Sequence, residues 1–157
     1  MFAFVLMLCG IRSQAKAIPE KFDREAFYAI IKHGDKAEIE KEIEVVTASS
    51  VSEKDAYEGF LLMRKAGLMT LPAQKLKFFK QGRIKLETAI AGNSDNAEYR
   101  FLRLIIEEHA PKITKYSADI ETDKQMVIKA YKNFSPVVQH AIIDYSKNSK
   151  VLHSSDF

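Results

Sequence analysis

The chain has little of what punctuates β-structure and almost nothing that could cross-link it. Its 157 residues include only six Gly, four Pro and one Cys. A sandwich or barrel needs a turn signal roughly every 8–12 residues, and the turn formers here are too few to supply them. No stretch of four to eight residues alternates apolar with polar, so no sheet is expected. No segment rich in Gly, Ser or Pro divides the chain. The motifs G-x-S-x-G, H-E-x-x-H, the P-loop and the dinucleotide fingerprint are all missing. What is present is the composition of a folded protein, with 46% hydrophobic and 29% charged residues. The length suits one domain large enough to bury a core.

The first seventeen residues, MFAFVLMLCGIRSQAKA, contain no acid. Phe2 to Gly10 is an apolar-or-small run, too short to span a bilayer, which takes about 20 residues. A polar segment follows and ends in Ala15-Lys16-Ala17, the small-x-small pattern that fits a signal peptidase pocket. The expectation is a signal peptide over 1–17, a mature chain opening at Ile18-Pro19-Glu20, and a periplasmic or extracellular location. Lipid attachment at Cys9 is disfavoured, because Leu8 stands where a small residue is normally needed. Removing Arg12 and Lys16 with the leader lowers the basic count from 24 to 22 against 21 acids, a formal +1. That field is too weak to argue for nucleic acid. Cys9 leaves too, so the mature chain would have neither disulfide nor thiol chemistry and would rely on its core.

Apolar spacing and end signals divide the rest into about seven helices. The first covers Asp23 to His33, with Ala26, Phe27, Ile30 and Ile31 inward and Gly34 as a left-handed stop. The second opens at Asp35 and carries the stripe Ile39, Ile43 and Val46. Its acids, Glu38, Glu40, Glu42 and Glu44, read as a solvated face. Ser52-Glu53-Lys54-Asp55 resembles a capping box for a third helix that runs to Ala66 and ends at Gly67. The fourth, Ala73 to Ala91, gathers Phe78, Phe79, Gly82, Leu86, Ala89 and Ile90 in one arc. Gly82 costs about 1 kcal/mol of helix propensity relative to Ala, which close approach of a neighbouring helix would offset. The fifth begins after Asp95-Asn96, ends before Pro111 and is apolar around most of its circumference, the pattern of a buried helix. Thr122-Asp123-Lys124-Gln125 matches a capping box for the sixth. Ser135-Pro136 opens the seventh. Ser146 to Phe157 reads as a loosely held polar tail.

Gly82, Leu86 and Ala89, followed by "AIAGNSDNAEY", resemble a tetratricopeptide repeat: a small residue where two helices touch, a large one four places on, and a small one three after that. Ser94 stands where the closing proline would be. The partner helix would be Ala56 to Ala66, anchored by Tyr57 and Leu61, with a link from Leu68 to Gln74 longer than the standard one. The likeness covers about a third of the chain and one unit of a repeat that normally comes in threes or more. It implies antiparallel helix pairs and a binding or scaffold role. The blocks "AYEGFLLMRKAG", "EYRFLRLIIEE" and "VVQHAIIDYSK" are similar to a group of small exported bacterial proteins. That resemblance implies export and an all-helical fold, and no activity. The fold class expected is therefore all-α, a tetratricopeptide-repeat-like helical domain over 18–157.

Candidate chemistry is sparse. His33, His109, His140 and His153 are scattered. His140 and Asp144 share a helix face and could be half a metal site, though such pairs are more often surface hydrogen bonds. Glu107, Glu108 and His109 point in three directions. Arg103 and Glu107 have the spacing of a local ion pair. Lys77, Lys80 and Arg83 form a basic stripe that reads as a solvated face. Arg100 sits on a helix that should be buried and so needs a partner. With Arg103 and Glu107 it forms the candidate binding set, since on a repeat-like curve Arg100 and Arg103 would line the inner face. An internal salt bridge is the competing reading. The expected function is a non-enzymatic module of the cell envelope that binds a protein or peptide, with no cofactor, metal, nucleic acid or membrane span in the mature chain. One alternative is a small hydrolase or lyase using Arg100, Glu107 and His140. Another is a helical carrier of an apolar ligand, suggested by Phe78, Phe79 and Phe101.

Overall fold

The computed structural model describes residues 21–157. The expected leader, its cleavage point and the first mature residues lie outside the described residues. Those described form seven α-helices and no strand: α1 (Arg24–His33), α2 (Lys36–Ala48), α3 (Lys54–Leu68), α4 (Pro72–Gly92), α5 (Ala97–His109), α6 (Ile120–Ala130) and α7 (Pro136–Ser146). α3 packs against α2, α4 and α5, while α6 covers α5 and α7 lies against α1.

Local chemistry starts three of these helices, α2 and α5 as the sequence suggested. The Asp23 carboxylate accepts the Glu25 and Ala26 amides at 2.7 and 3.0 Å, and Asp35 and Glu38 close a reciprocal capping box on α2. The Asn96 side chain accepts the Glu98 and Tyr99 amides at the start of α5. Two expected boxes do not form. α3 starts with no side-chain cap, because Ser52 donates to Glu53 and Glu53 is held by Arg24. α6 starts two residues before Thr122, so Thr122 and Gln125 lie inside the helix and Gln125 bonds Glu121.

The α3–α4 pair is the most extensive contact in the fold. It is antiparallel, since Lys85 reaches Asp55 and Glu58 while Lys65 lies over Phe78 further along α3. Two glycines meet at the crossing. A methyl on Gly82 would stand 2.4 Å from the Gly59 carbonyl oxygen, and one on Gly59 would stand 2.7 Å from the Leu86 amide nitrogen. Backbone approaches backbone there, so the lost propensity of Gly82 is offset by contact, as its place in the apolar arc implied. No local pattern marks Gly59 as the other half of this contact. Gly34 is a stop for a different reason than expected. Its φ of −61° is not left-handed; an added methyl would instead meet the Ile30 carbonyl oxygen at 2.6 Å. Gly67 lies within α3 rather than ending it.

α5 is the central helix, with Ala97 to Glu107 buried except for a half-buried Arg100. Its flanks in the core are Phe27, Tyr57, Phe60, Leu86, Val127 and Ile142. Two patterns misjudged which side faces in. Tyr28 rather than Ala26 is buried on α1, and Glu42 is buried among the apolar residues of α2. The C-terminal segment is held rather than loose. Leu152 is fully buried, Ser149 and the Lys150 amide bond Glu108, and the Phe157 ring meets Tyr131 at 4.6 Å.

Candidate functional site

Three buried or half-buried polar clusters and one groove hold the charged residues that matter. In the first cluster, Arg103 on α5 is 3% exposed and donates through Nε and Nη2 to the two Asp123 oxygens at 2.7 and 2.8 Å. Glu87 and Asp119 approach its Nη1 at 3.1 and 3.2 Å. Asp123, the buried residue inside the supposed capping box, is therefore the acid that holds α6 against α5. Arg100 lies 3.5 Å from Asp123 and donates to the Ser94 carbonyl at the head of its own helix. Glu107 does not take up the expected pair with Arg103. Its Oε1 accepts the Asp119 amide at 3.1 Å, and its Oε2 is buried without a hydrogen-bond partner among the described residues. Burial, aided by the charges of Asp123 and Asp119, pushes its carboxyl up to about 7.

The second cluster centres on Glu98, whose Oε1 accepts both Tyr28 and Tyr57 hydroxyls at 2.9 and 2.7 Å. Burial and the neighbouring Glu98 carboxylate raise the pKa of both phenols. The third is Glu108, which accepts from Tyr145, Ser149 and the Lys150 amide and so ties the tail to α5. In all three, donors and acceptors face each other across helices, which is the arrangement of internal ties.

The groove is different in kind. α1 and α7 form its walls and α5 its floor, enclosing a half-open cavity of about 670 Å³. That lies within the roughly 300–1,000 Å³ usual for ligand sites. Helical spacing builds each side: Phe101, Ile105 and His109 repeat every four residues along the floor, and Val137, Ala141 and Tyr145 do the same along one wall. Lys32 on α1 reaches Asp144 on α7 at 3.3 Å, tying the two walls together. Hydrogen bonds from Lys147 and Lys32 hold the Asp144 carboxyl down at about 2. His140 sits on the rim with its Nε2 3.9 Å from Asp144.

Arg64 reaches into this groove from α3. Its Nη2 donates to the Ile31 carbonyl at 3.2 Å, near the end of α1. Its Nε is buried with no hydrogen-bond partner, and no carboxylate lies within ion-pair distance among the described residues. Burial lowers its pKa, with Tyr145 opposing the shift.

Comparison with protein-family models, curated proteins and solved structures finds no match for this chain.

Of the sequence candidates, Arg100, Arg103 and Glu107 come together around Asp123, facing α6. His140 lies instead in the groove, so the three residues of the hydrolase reading are divided between two places. Of the three phenylalanines of the carrier reading, Phe101 lines the groove, Phe78 lies under Lys65 and Phe79 packs on Tyr116. Among the described residues, no group of three or more His, Cys, Asp or Glu could hold a metal, and no helix is long and apolar enough to cross a membrane. Sequence reasoning missed Arg64 because Arg64-Lys65 at the end of "LLMRKAG" reads as an ordinary solvated pair.

Proposed function

We propose that the protein is a non-enzymatic binding module of the cell envelope, and that a peptide segment of its partner is held in the α1–α7 groove. The observation that carries this reading is the groove itself: a half-open cavity of ligand size, with an apolar floor and a rim of charged side chains. Apolar floors supply the driving force for association and polar rims its specificity. The antiparallel α3–α4 pair, with small residues at its crossing as in a tetratricopeptide repeat, supports a scaffold role, and α3 supplies the Arg64 that faces the groove. The leader ending in Ala15-Lys16-Ala17 supports export.

Site-specific photocrosslinking in envelope preparations tests the site. A crosslinking residue at Val137, in the groove, is expected to capture a discrete partner that Ala141→Trp abolishes. The same residue at Ile84, exposed on α4, is expected to capture none. Equal capture at both positions would refute the groove. Export is tested by N-terminal sequencing, with Ile18 expected as the first residue; a protein beginning at Met1 would refute it.

A further inference from the structure

Among the described residues, the other arginines that are not fully exposed are matched to acids. Arg103 has Asp123, Glu87 and Asp119, Arg100 has Asp123, and Arg24 has Glu53 and Glu98. Arg64 is the exception among the substantially buried ones. A guanidinium carries five N–H donors and is always charged. Its one hydrogen bond among the described residues, to the Ile31 carbonyl, accounts for one of the five and resembles a tie on the end of α1. Among the described residues no carboxylate lies within ion-pair distance of the guanidinium, and it shares the groove with the apolar surface of Phe101, Ile105 and Tyr145. Half-burying a cation that way costs free energy that an anionic partner would offset.

We infer that the groove recognises the free C-terminal carboxylate of a partner peptide, with Arg64 as its anchor and the last apolar side chain lying on the Phe101–Ile105 floor. This rests on the proposed role of the groove as a peptide site and names the feature read there. A planar carboxylate matches the guanidinium fork and gives charge-assisted hydrogen bonds, and capture of chain termini is a recurring mode of peptide recognition. The demand on the ligand is a carboxylate joined directly to an apolar group. A C-terminal residue meets it, because its side chain leaves the carbon that bears the carboxylate. An internal Asp or Glu would carry two strands of backbone into the groove instead. A free apolar acid has the same head group, but a half-open cavity would leave much of its tail in water. A peptide end avoids this, since what leaves the groove is polar backbone that passes Lys32, Asp144 and Asn148 on the rim.

The test uses the purified full chain and a pool of fluorescein-labelled hexapeptides ending in Leu, Val or Phe. Each is made as the C-terminal acid and as the C-terminal amide, and 4-phenylbutyrate is the competing free acid. Fluorescence anisotropy is expected to show the acids binding at least tenfold tighter than the amides. That preference should disappear in Arg64→Gln and be partly kept in Arg64→Lys. The acid–amide comparison is made on the wild-type protein, so it stands even where Arg64→Gln fails to fold. Acids and amides binding equally would overturn the carboxylate inference and leave the peptide groove intact. Neither form binding would overturn both. A preference that survives Arg64→Gln would remove Arg64 as the anchor. Phenylbutyrate binding with both peptide forms silent would overturn the peptide source.

Discussion

Replacing Glu107 by Gln is the perturbation whose outcome can be worked furthest. The side chain is 2% exposed, and its acceptor role is confined to one amide, that of Asp119 at 3.1 Å. Burial lifts the carboxyl from its ordinary 4.5 to about 7. A carboxyl whose folded pKa is raised is favoured in its protonated form. Its contribution to stability is therefore complete below the unfolded value near 4.5 and is lost as the pH rises through about 7. Each unit is worth about 1.4 kcal/mol, so the loss above neutrality approaches about 3 kcal/mol. Water reaching the half-exposed Asp119 beside it reduces that to about 2 kcal/mol. Gln has the same shape, keeps an oxygen for the Asp119 amide and never ionises. Thermal melts followed by circular dichroism should show the variant close to wild type at pH 5. At pH 8 it should melt on the order of 5 °C higher. An equal difference at both pH values would refute the reasoning. So would a variant less stable at pH 8, which would mean that Glu107 is ionised and paired with Arg103 as the spacing on α5 first suggested.

Three further predictions concern how the helices are held. Gly82→Ala should destabilise by about 3 kcal/mol or more in urea melts, because its methyl would meet the Gly59 carbonyl at 2.4 Å, where no side chain can yield. Gly67→Ala meets nothing within 4 Å and should stabilise by up to about 1 kcal/mol; a similar loss in both variants would contradict the account of the crossing. Asp123→Ala leaves Arg103 with only Glu87 and Asp119, and should cost about 3 kcal/mol, the low end for breaking a buried pair. Leu152→Ala should cost about 2–4 kcal/mol by opening a cavity under the tail, whereas a loosely held tail would show no change.

Sequence periodicity made the helices legible, along with their order and the burial of α5, because a 3.6-residue stripe and a capping side chain are local facts. Gly82 could be read as a contact point for the same reason: a glycine inside an apolar arc has few other uses. What failed needed a partner far along the chain. Asp123 looked like part of a cap because its neighbours fit one, yet its role is set by Arg103, twenty residues away. Glu42 looked solvated because acids usually are. The tail looked loose because Ser146, Ser149, Ser154 and Lys150 are polar, while Leu152 and the bonds from Ser149 and Lys150 to Glu108 decide its place. The groove was hidden for the same reason. Its floor was visible as the apolar side of α5, but its walls come from the two ends of the described chain and its arginine from α3. No local pattern marks an arginine as lacking an acid.

The most direct measurement is a binding isotherm for the acid-ended hexapeptide pool on three proteins: wild type, Ala141→Trp and Lys80→Glu. Ala141 lines the groove and a tryptophan there fills it, whereas Lys80 is exposed on α4, away from the groove. The chain contains no other tryptophan, so the fluorescence of the introduced ring also reports whether it enters the apolar cavity. Saturable binding to wild type and Lys80→Glu, weakened at least tenfold in Ala141→Trp with a blue-shifted tryptophan, is the expected result. Undiminished binding to a folded Ala141→Trp protein with its tryptophan in the groove would contradict it.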